Sequence, residues 1–414
     1  FYNVKQRILI FLLLMCLLPE ALYSMQPLGR PSEDKFLKKP YNVLIISSYS
    51  SGYTWSDEII DYIGSSLMLS EKHNYEINLE YLASEYQHDP QYWRFRLNVI
   101  MNSYRNQVPD LIVLVSDEAW FAFRHARKKH YENVPVLLVA VKSASPSEEQ
   151  LANPDSISSY TQLAKTRDLL RENNATGVIR ELNIRGVINL MDTMVDDLKE
   201  VAVITDSRLQ GVYTSLMARD VLENERKDLK GRFIRSSEVS TDSLFKIVRG
   251  FGDTTAMLLS SWFTPGYGFN YSMNYVYSEI SSISSSPMFG VVAKAVENGY
   301  FAGGYFMTEN FWGKEAVKCI EKIAAGLLPS SLPPEIYTDS QCHLNWEAMK
   351  RYNLNTKNLP DNTKIFDRPT DVFRKYRIQI IITGSILLIM IIAALLLMRS
   401  YIVIKAARKR LLDS

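Results

Sequence analysis

Cysteine and excess charge are both scarce in this sequence. It contains three cysteines among 414 residues, which is too few for a disulfide scaffold, and their spacing is not that of a zinc site. The 47 basic residues nearly balance the 45 acidic ones and leave a formal net charge of +2. Because nucleic-acid binding requires a concentrated basic surface, this balance argues against a nucleic-acid partner.

Recognisable catalytic motifs are missing as well. The five histidines show no HExxH or other metal-ligand spacing, and there is no GxSxG elbow, P-loop, kinase glycine loop or GGDEF-type motif. His125 and His130 lie in a basic stretch that is more typical of a solvated helix face than of a metal site. We therefore expect no catalytic residue, no metal and no cofactor in this chain.

The N-terminal segment reads as an export signal. Lys5 and Arg7 precede an unbroken apolar run over residues 8–18, which is about half the ~20 residues that a spanning helix needs. Residues 1–24 are thus predicted to be a signal peptide. An uncleaved N-terminal anchor is the alternative, because Leu22 is not the small residue that a cleavage site prefers.

A second apolar segment near the other end is long enough to cross a bilayer. Residues 378–398 carry no charge and lie between two basic clusters. We predict a juxtamembrane and transmembrane helix over residues 371–398, followed by the truncated start of a cytoplasmic signalling helix over residues 399–414. Export by the signal would place residues ~25–377 in the periplasm and the helix in a bacterial inner membrane, with the lipid bilayer as a partner.

The region between these ends alternates strand and helix patterns. Nearly continuous aliphatic runs, at 43–48, 110–116, 134–141, 201–205 and 255–260, are typical of parallel strands buried on both faces. The expected fold class is α/β with two Rossmann-like lobes. We expect residues 41–165 to form lobe 1, completed by 300–330, and residues 166–299 to form lobe 2 together with 331–360.

Several short segments along residues 41–355 carry a family resemblance. They are 174–177 (NATG), 183–186 (NIRG), 201–206 (VAVITD), 287–290 (PMFG), 300–305 (YFAGGY) and 313–329. In this order they resemble the ABC-transporter-type periplasmic substrate-binding proteins of the type I bilobal fold. The resemblance implies two lobes that close on a small ligand, and the transmembrane segment after the fold is a departure from the soluble members.

That departure is similar to the extracytoplasmic sensor region of bacterial membrane receptors. The resemblance implies a small-ligand-sensing region of a transmembrane signalling receptor, most simply a two-component sensor histidine kinase whose kinase module is missing from this chain. The alternatives are a membrane-tethered ABC-transporter substrate-binding protein and the input region of a diguanylate cyclase. A homodimer is expected from the resemblance, and the identity of the ligand is left open.

Ligand-binding candidates follow from the rule that ligands bind at the carboxyl ends of parallel strands. Polar and aromatic residues that follow predicted strands, or lie in the closing segment, are Tyr49, Ser51, Tyr53, Trp55, Asp117, Glu118, Asp206, Ser261, Trp262 and Tyr305. Each has a structural alternative. An aspartate after a strand often caps the next helix, and tryptophans pack in cores as readily as they stack on ligands.

Two of the cysteines, Cys319 and Cys342, fall in the exported part of the chain. A bond between them would contribute roughly 3 kcal/mol in the chain-entropy account. Two buried free thiols are the alternative, because Cys319 lies on a predicted amphipathic helix.

Overall fold

The computed structural model describes residues 39–126, 129–263, 271–369 and 376–412. The strands are β1 (Tyr41–Ser47), β2 (Tyr75–Tyr81), β3 (Leu111–Val115), β4 (Val136–Lys142), β5 (Ala144–Ser145), β6 (Ala164–Lys165), β7 (Ala175–Glu181), β8 (Glu200–Thr205), β9 (Lys230–Arg235), β10 (Thr255–Leu259), β11 (Met288–Gly290), β12 (Gly303–Phe306), β13 (Glu335–Thr338), β14 (Gln341–Asn345) and β15 (Lys364–Phe366). The predicted signal segment lies outside the described residues.

The helices alternate with these strands along the chain. They are α1 (Thr54–Met68), α2 (Pro90–Ser103), α3 (Asp117–Ala126), α4 (Glu148–Ala152), α5 (Thr166–Leu170), α6 (Ile184–Met194), α7 (Leu209–Asp220), α8 (Thr241–Arg249), α9 (Met273–Ile283), α10 (Ala293–Glu297), α11 (Phe311–Ala324), α12 (Trp346–Arg351) and α13 (Arg377–Leu412). Single 3-10 turns are Lys129–Tyr131, Pro154–Ser156, Tyr160–Gln162, Arg171–Asn173 and Pro329–Ser331, and Val221–Glu225 is a π-helical turn.

The first lobe is built on a parallel sheet in the order β13-β7-β4-β3-β1-β2. Every residue of β3 and β4 is buried, because helices cover both faces of the sheet. The continuous aliphatic strands that the sequence predicted are therefore central strands, and the α/β class with parallel sheets is confirmed.

The second lobe contains a seven-stranded sheet in the order β15-β14-β12-β11-β10-β8-β9. Its pairings are parallel except where β14 runs antiparallel to β12. Gly304 in β12 approaches the carbonyl oxygen of Gly290 so closely that a side chain there would clash with it. This contact positions β12 tightly beside β11.

The division of the chain between the lobes differs from the boundaries expected from the sequence. Strand β7 was expected in lobe 2 but pairs in the first sheet, and β13 does the same. Strand β12 was expected to complete lobe 1 but pairs in the second sheet. An apolar strand pattern is compatible with either sheet, and only the hydrogen-bonded neighbours decide membership. The chain consequently crosses between the lobes after β7, after β12 and after β13.

The hydrophobic core is continuous between the lobes. One cluster lies on one face of the first sheet and includes Ile63 of α1 and Ile320 of α11, and another packs within the second lobe. The largest cluster contains Leu44 and Ile112 of the first sheet together with Val201 and Val203 of the second. Apolar packing therefore joins the lobes in the conformation described here.

A buried ion pair lies where two of the crossings meet. Arg180, at the end of β7, donates from Nη2 to Oδ2 of Asp339 at 2.6 Å and from Nε to the same oxygen at 3.0 Å. Asp339 directly follows β13, and the two side chains are only 8% and 1% exposed. Asn183 donates to the Asp339 carbonyl oxygen at 2.9 Å. The exits of β7 and β13 are thus held together by charge-assisted hydrogen bonds.

The C-terminal helix α13 differs in character from the two lobes. Its segment Arg377–Ala406 is long and apolar enough to cross a membrane, and none of its apolar window is buried. All 36 residues of α13 form one helix, which at 1.5 Å per residue is about 54 Å long. The basic residues Arg399, Lys405 and Arg408 lie on the same continuous helix, beyond the apolar stretch.

Removing one partner of the buried pair should strongly destabilise the protein. Asp339→Asn leaves the Arg180 guanidinium buried without a counter-charge, and we expect the free energy of unfolding to fall by about 3–5 kcal/mol. Denaturant unfolding of the full chain in detergent measures this. Glu321→Gln, which breaks the largely solvated pair Lys72–Glu321, is the control and should cost less than about 1 kcal/mol. Equal losses of unfolding free energy in the two variants would show that the buried Arg180–Asp339 pair contributes no more than a solvated pair.

Candidate functional site

Stacked tyrosines form the first-lobe side of the space between the lobes. The rings of Tyr49 and Tyr53, in the loop after β1, stack with centroids 4.3 Å apart at 26°. Trp55 meets Tyr49 edge-on at 6.3 Å, and the guanidinium of Arg180 lies over the Trp55 ring at 5.8 Å. The buried Arg180–Asp339 pair is therefore in direct contact with this aromatic cluster. Tyr53 remains 42% exposed and its ring is available to a ligand.

The loop that carries the tyrosines is held at two points. The backbone N–H of Ser50 donates to Glu85 at 2.9 Å, and its hydroxyl bonds the same carboxylate. The Gly52 N–H donates to Asp57 Oδ2 at 2.7 Å. Gly52 has φ +95°, a conformation that favours glycine. Ser51 is exposed between these anchors.

Two carboxylate side chains, Asp117 and Glu118, are the first two residues of helix α3, which follows β3. Asp117 accepts a hydrogen bond from the Lys142 backbone N–H at 2.7 Å and an ion-pair contact from Lys142 Nζ at 3.1 Å. Ser116, just before them, has φ +72° and donates to the Tyr49 hydroxyl at 3.4 Å. A non-glycine residue in this region is strained, which is a feature of functional turns. Because of its two contacts with Lys142, the Asp117 carboxylate is already engaged within the protein.

Glu118 is the unusual member of this pair of carboxylates. It is 7% exposed, and its Oε2 has no hydrogen-bond partner within the described parts of the chain. Burial raises the pKa of Glu118 from 4.5 to about 7, and the charge of Asp117 adds to the rise. A helix N-terminus stabilises an anion by about 0.3–1 kcal/mol. The rise in the pKa of Glu118 from 4.5 to about 7 corresponds to about 3 kcal/mol. The cost of desolvation is therefore larger than the stabilisation by the helix N-terminus.

The second-lobe side is organised by Asp206, which follows β8. Asp206 accepts hydrogen bonds from Arg208 Nε at 2.7 Å and from the Ser261 hydroxyl at 2.9 Å. The Arg208 guanidinium lies over the Phe263 ring at 5.4 Å. Asp206 therefore positions an arginine and an aromatic ring toward the other lobe rather than offering a free carboxylate.

Contacts cross between the two sides. His88, in the loop after β2, meets Phe263 of the second lobe with ring centroids 4.0 Å apart. Burial lowers the pKa of His88 to about 4, and the charge of Arg208 adds to the decrease, so this imidazole is neutral at pH 7. Burial raises the pKa of Tyr53, and Arg208 opposes that rise, which places these two residues within electrostatic range across the lobes. We call the space between Tyr49, Tyr53, Glu118, Arg208 and Phe263 the cleft.

Two of the predicted ligand residues lie elsewhere in the fold, and a third lies beside Glu118 but is held in an ion pair. Trp262 is 2% exposed in the second-lobe core, where its indole N–H donates to Thr241 at 3.1 Å. Tyr305 belongs to β12 of the second sheet, where it pairs with Cys342. Asp117 is buried in its ion pair. These placements could not be predicted from the sequence. A sequence pattern predicts where a strand ends, but it does not show in which direction the side chains at that end point.

Several residues of the cleft were not identified from the sequence. They are Glu85, His88, Lys142, Arg180, Arg208, Tyr213 and Phe263. A charged residue inside or just after an aliphatic strand, as in Lys142 and Arg180, is the signal that was available. Tyr267, which follows the same strand as Phe263 in the sequence, lies outside the described residues.

The space beside Asp206 is small. A cavity of about 30 Å³ is lined by Thr205, Asp206 and Arg235 together with residues of α7 and of the segment before β6. This volume admits about one water molecule. This cavity is separate from the cleft, because none of the five residues that define the cleft lines it. In the part of the chain that the structure describes, no three His, Cys, Asp or Glu side chains are grouped to hold a metal.

Cys319 and Cys342 are both free thiols in the structure. Cys342 is buried on β14, and Cys319 is half-buried on α11. Burial raises the pKa of Cys342 to about 11, so this thiol is unreactive at neutral pH. Of the two alternatives from the sequence, the structure has the free thiols.

Comparison with known proteins identifies the fold. No protein-family model matches the sequence, and no curated protein matches it. Among solved structures, the ABC domain in complex with L-Trp from Streptococcus pneumonia has a TM-score of 0.54 at 12% identity, covering 78% of this chain and 97% of that chain. A conserved domain protein from Vibrio cholerae has a TM-score of 0.54 at 14% identity, covering 80% of this chain and 100% of that chain.

A third solved structure shows the same architecture. The ligand-free, open form of a substrate-binding protein with adhesive properties from Clostridium difficile has a TM-score of 0.52 at 14% identity, covering 80% of this chain and 100% of that chain. The chain thus has the type I bilobal fold of periplasmic substrate-binding proteins, followed by one helix long and apolar enough to span a membrane. The expected fold is confirmed.

Because Glu118 is buried without a counter-ion of its own, the free energy of unfolding should depend on pH. Because the folded pKa of Glu118 is raised from 4.5 to about 7, its stability contribution is complete below pH 4.5 and is lost as the pH rises through 7. Glu118→Gln should therefore unfold like wild type at pH 4.5 and be more stable at pH 8, by up to about 3 kcal/mol.

Thermal unfolding of the full chain in detergent at the two pH values measures this difference. Glu172→Gln, at an exposed position, is the control and should change neither value. A Glu118→Gln variant that is less stable than wild type at pH 8 would show that the carboxylate has a partner.

Proposed function

We propose that this chain is the extracytoplasmic ligand-binding region of a bacterial inner-membrane signalling receptor. The observation that carries the proposal is the cleft itself. An accessible stacked tyrosine pair and a buried carboxylate lie between two lobes of a substrate-binding fold. Concave sites with aromatic walls and few polar groups are typical of small-molecule binding. The ligand is a small organic molecule held between Tyr53 on one lobe and Arg208 and Phe263 on the other.

The structural neighbours support a small-molecule ligand. One is described as a complex with L-Trp, and another as a substrate-binding protein in its open form. Hinge closure about the interlobe crossings would bring the two sides of the cleft onto the ligand.

The length of α13 favours a signalling role. A helix of about 54 Å exceeds the ~30 Å hydrocarbon core of a bilayer by roughly 24 Å. The excess includes Arg399–Arg408, whose basic residues favour the cytoplasmic side. A continuous helix transmits a shift or rotation from the lobes to an output module, of which a histidine kinase is the first candidate and a diguanylate cyclase the next. A homodimer is part of this proposal.

A membrane-tethered substrate-binding protein for a transporter is the second candidate. The description of the Clostridium difficile neighbour as a substrate-binding protein favours it. In this case α13 would act only as an anchor, and its continuity beyond the bilayer would have no role. In both candidates the ligand binds in the cleft. They differ in whether closure of the lobes changes the part of the protein on the other side of the membrane.

Truncating the exposed tyrosine should weaken ligand binding without unfolding the protein. Tyr53→Ala removes one face of the stacked pair, and we expect about a tenfold loss of affinity, since aromatic contacts of this kind contribute roughly 1–2 kcal/mol. A calorimetric screen of sugars, amino acids and amines on the full chain in detergent provides the ligand. Tyr75→Ala is the control, because Tyr75 lies at the opposite end of the sheet. Equal losses in both variants would argue against the cleft.

Helix continuity provides a test between the two candidates. Fusing a histidine kinase catalytic module after Leu412 should give autophosphorylation that responds to the compound found in the screen. Inserting two glycines between Ser400 and Tyr401 should abolish that response, because glycine interrupts a stiff helix. Replacing Ser400 and Tyr401 by alanine is the control and should preserve the response. A fusion that binds the compound without any change in phosphorylation favours the tether.

A further inference from the structure

The buried charges around the cleft are matched with one exception. Asp117 pairs with Lys142 at 3.1 Å, and Asp339 pairs with Arg180 at 2.6 Å. On the other lobe, Asp206 pairs with Arg208 at 2.7 Å. Each of these acids has its own cation, and Lys142 Nζ is already used by Asp117. Glu118 is the carboxylate left over.

Glu118 cannot gain a counter-ion from the elements packed around it. The titratable and charged groups that face it are Asp117 on its own helix, Lys142 of β4, Tyr49 and Tyr53 of the loop after β1, and Tyr213 of α7. The only cation in this set is Lys142, and the other members are an acid and three phenols. An ionised Glu118 is favoured only by a backbone hydrogen bond, the charge of Lys142 and a hydrogen bond with Ser48, which do not outweigh its desolvation. It has no counter-ion of its own, and such a buried charge is expensive to keep in a folded protein.

The three phenols show where this carboxylate points. Burial raises the pKa of Tyr49, and the charge of Glu118 is the next largest cause. Glu118 also raises the pKa of Tyr53 and of Tyr213, after larger contributions from other groups. Tyr49 and Tyr53 belong to the first lobe and Tyr213 to the second, so the carboxylate lies within electrostatic range of phenol groups from both lobes.

A buried carboxylate with a free oxygen, in a cleft that also contains a stacked tyrosine pair, matches one kind of ligand group. An ammonium group donates N–H bonds to the oxygen, supplies the missing positive charge and is attracted to ring faces. A sugar hydroxyl would donate a hydrogen bond but would leave the charge uncompensated. We propose that Glu118 is the residue that recognises the ammonium group of the ligand, and that the ligand is a small organic amine. This inference rests on the proposed ligand-binding function and specifies its chemical class.

The proposal makes affinity depend on pH in a defined direction. An ammonium ligand binds the ionised carboxylate, and the pKa of Glu118 in the unliganded protein is about 7. Lowering the pH from 8 to 6 reduces the ionised fraction of such a group about tenfold, and affinity should fall by the same factor. Simple amines with pKa values above 9 stay charged over this range and do not contribute to the change.

Matched probe pairs provide the test. The full chain in detergent is titrated calorimetrically with tryptamine against tryptophol and with phenethylamine against 2-phenylethanol, in which a hydroxyl replaces the ammonium group. L-Tryptophan against indole-3-propionate, glucose and ribose complete the panel. We expect at least one amine to bind ten times more tightly than its counterpart at pH 8 and about tenfold more weakly at pH 6. Glu118→Gln should lose at least tenfold in affinity for that amine and lose the pH dependence.

The controls separate failure of this inference from failure of the proposed function. Glu172→Gln should bind like wild type, and melting of each variant in the same buffer shows that it is folded. If a sugar or an amine-free probe binds wild type as tightly as its amine counterpart, or if Glu118→Gln binds the amine unchanged, the ammonium proposal is overturned while ligand binding stands. If no probe binds the folded wild-type chain, the proposed function and this inference fail together.

Discussion

One buried ion pair, Arg180–Asp339, joins the ends of β7 and β13, two neighbouring strands of the first sheet from which the chain crosses to the second lobe. Desolvating two charges is costly, so the pair persists only with the geometry that its hydrogen bonds provide. The same guanidinium lies over Trp55, whose ring meets Tyr49 of the stacked pair. The ion pair at the start of these crossings is thereby connected to the aromatic wall of the cleft.

The cleft shows how a binding site differs from the core around it. Apolar side chains fill both lobes, and the buried acids Asp117, Asp206 and Asp339 each have a cation. Glu118 departs from this rule and carries a cost in stability, as ligand-binding groups often do before the ligand arrives. Ser116 adds local strain at the same turn. Unfavourable features concentrated at one strand end distinguish a site from ordinary packing.

The long helix α13 adds a different physical constraint. Its apolar residues are exposed all round, which is stable in lipid and unfavourable in water. If this helix spans a bilayer, the two lobes stay at the membrane surface, and its uninterrupted continuation past the apolar part would transmit torque or displacement. Anchoring alone would require only the apolar part.

The sequence by itself determined the parallel α/β class, the membrane-spanning candidate helix and most of the loops at the cleft, because hydrophobic periodicity and strand order follow directly from local pattern. Tertiary structure alone decided that β7 and β13 belong to the first sheet and β12 to the second, that Trp262 packs in the core, and that Glu118 is left unpaired. These outcomes depend on which backbone edges and side chains meet across long stretches of chain, as Arg180 and Asp339 do, and no local pattern contains that information.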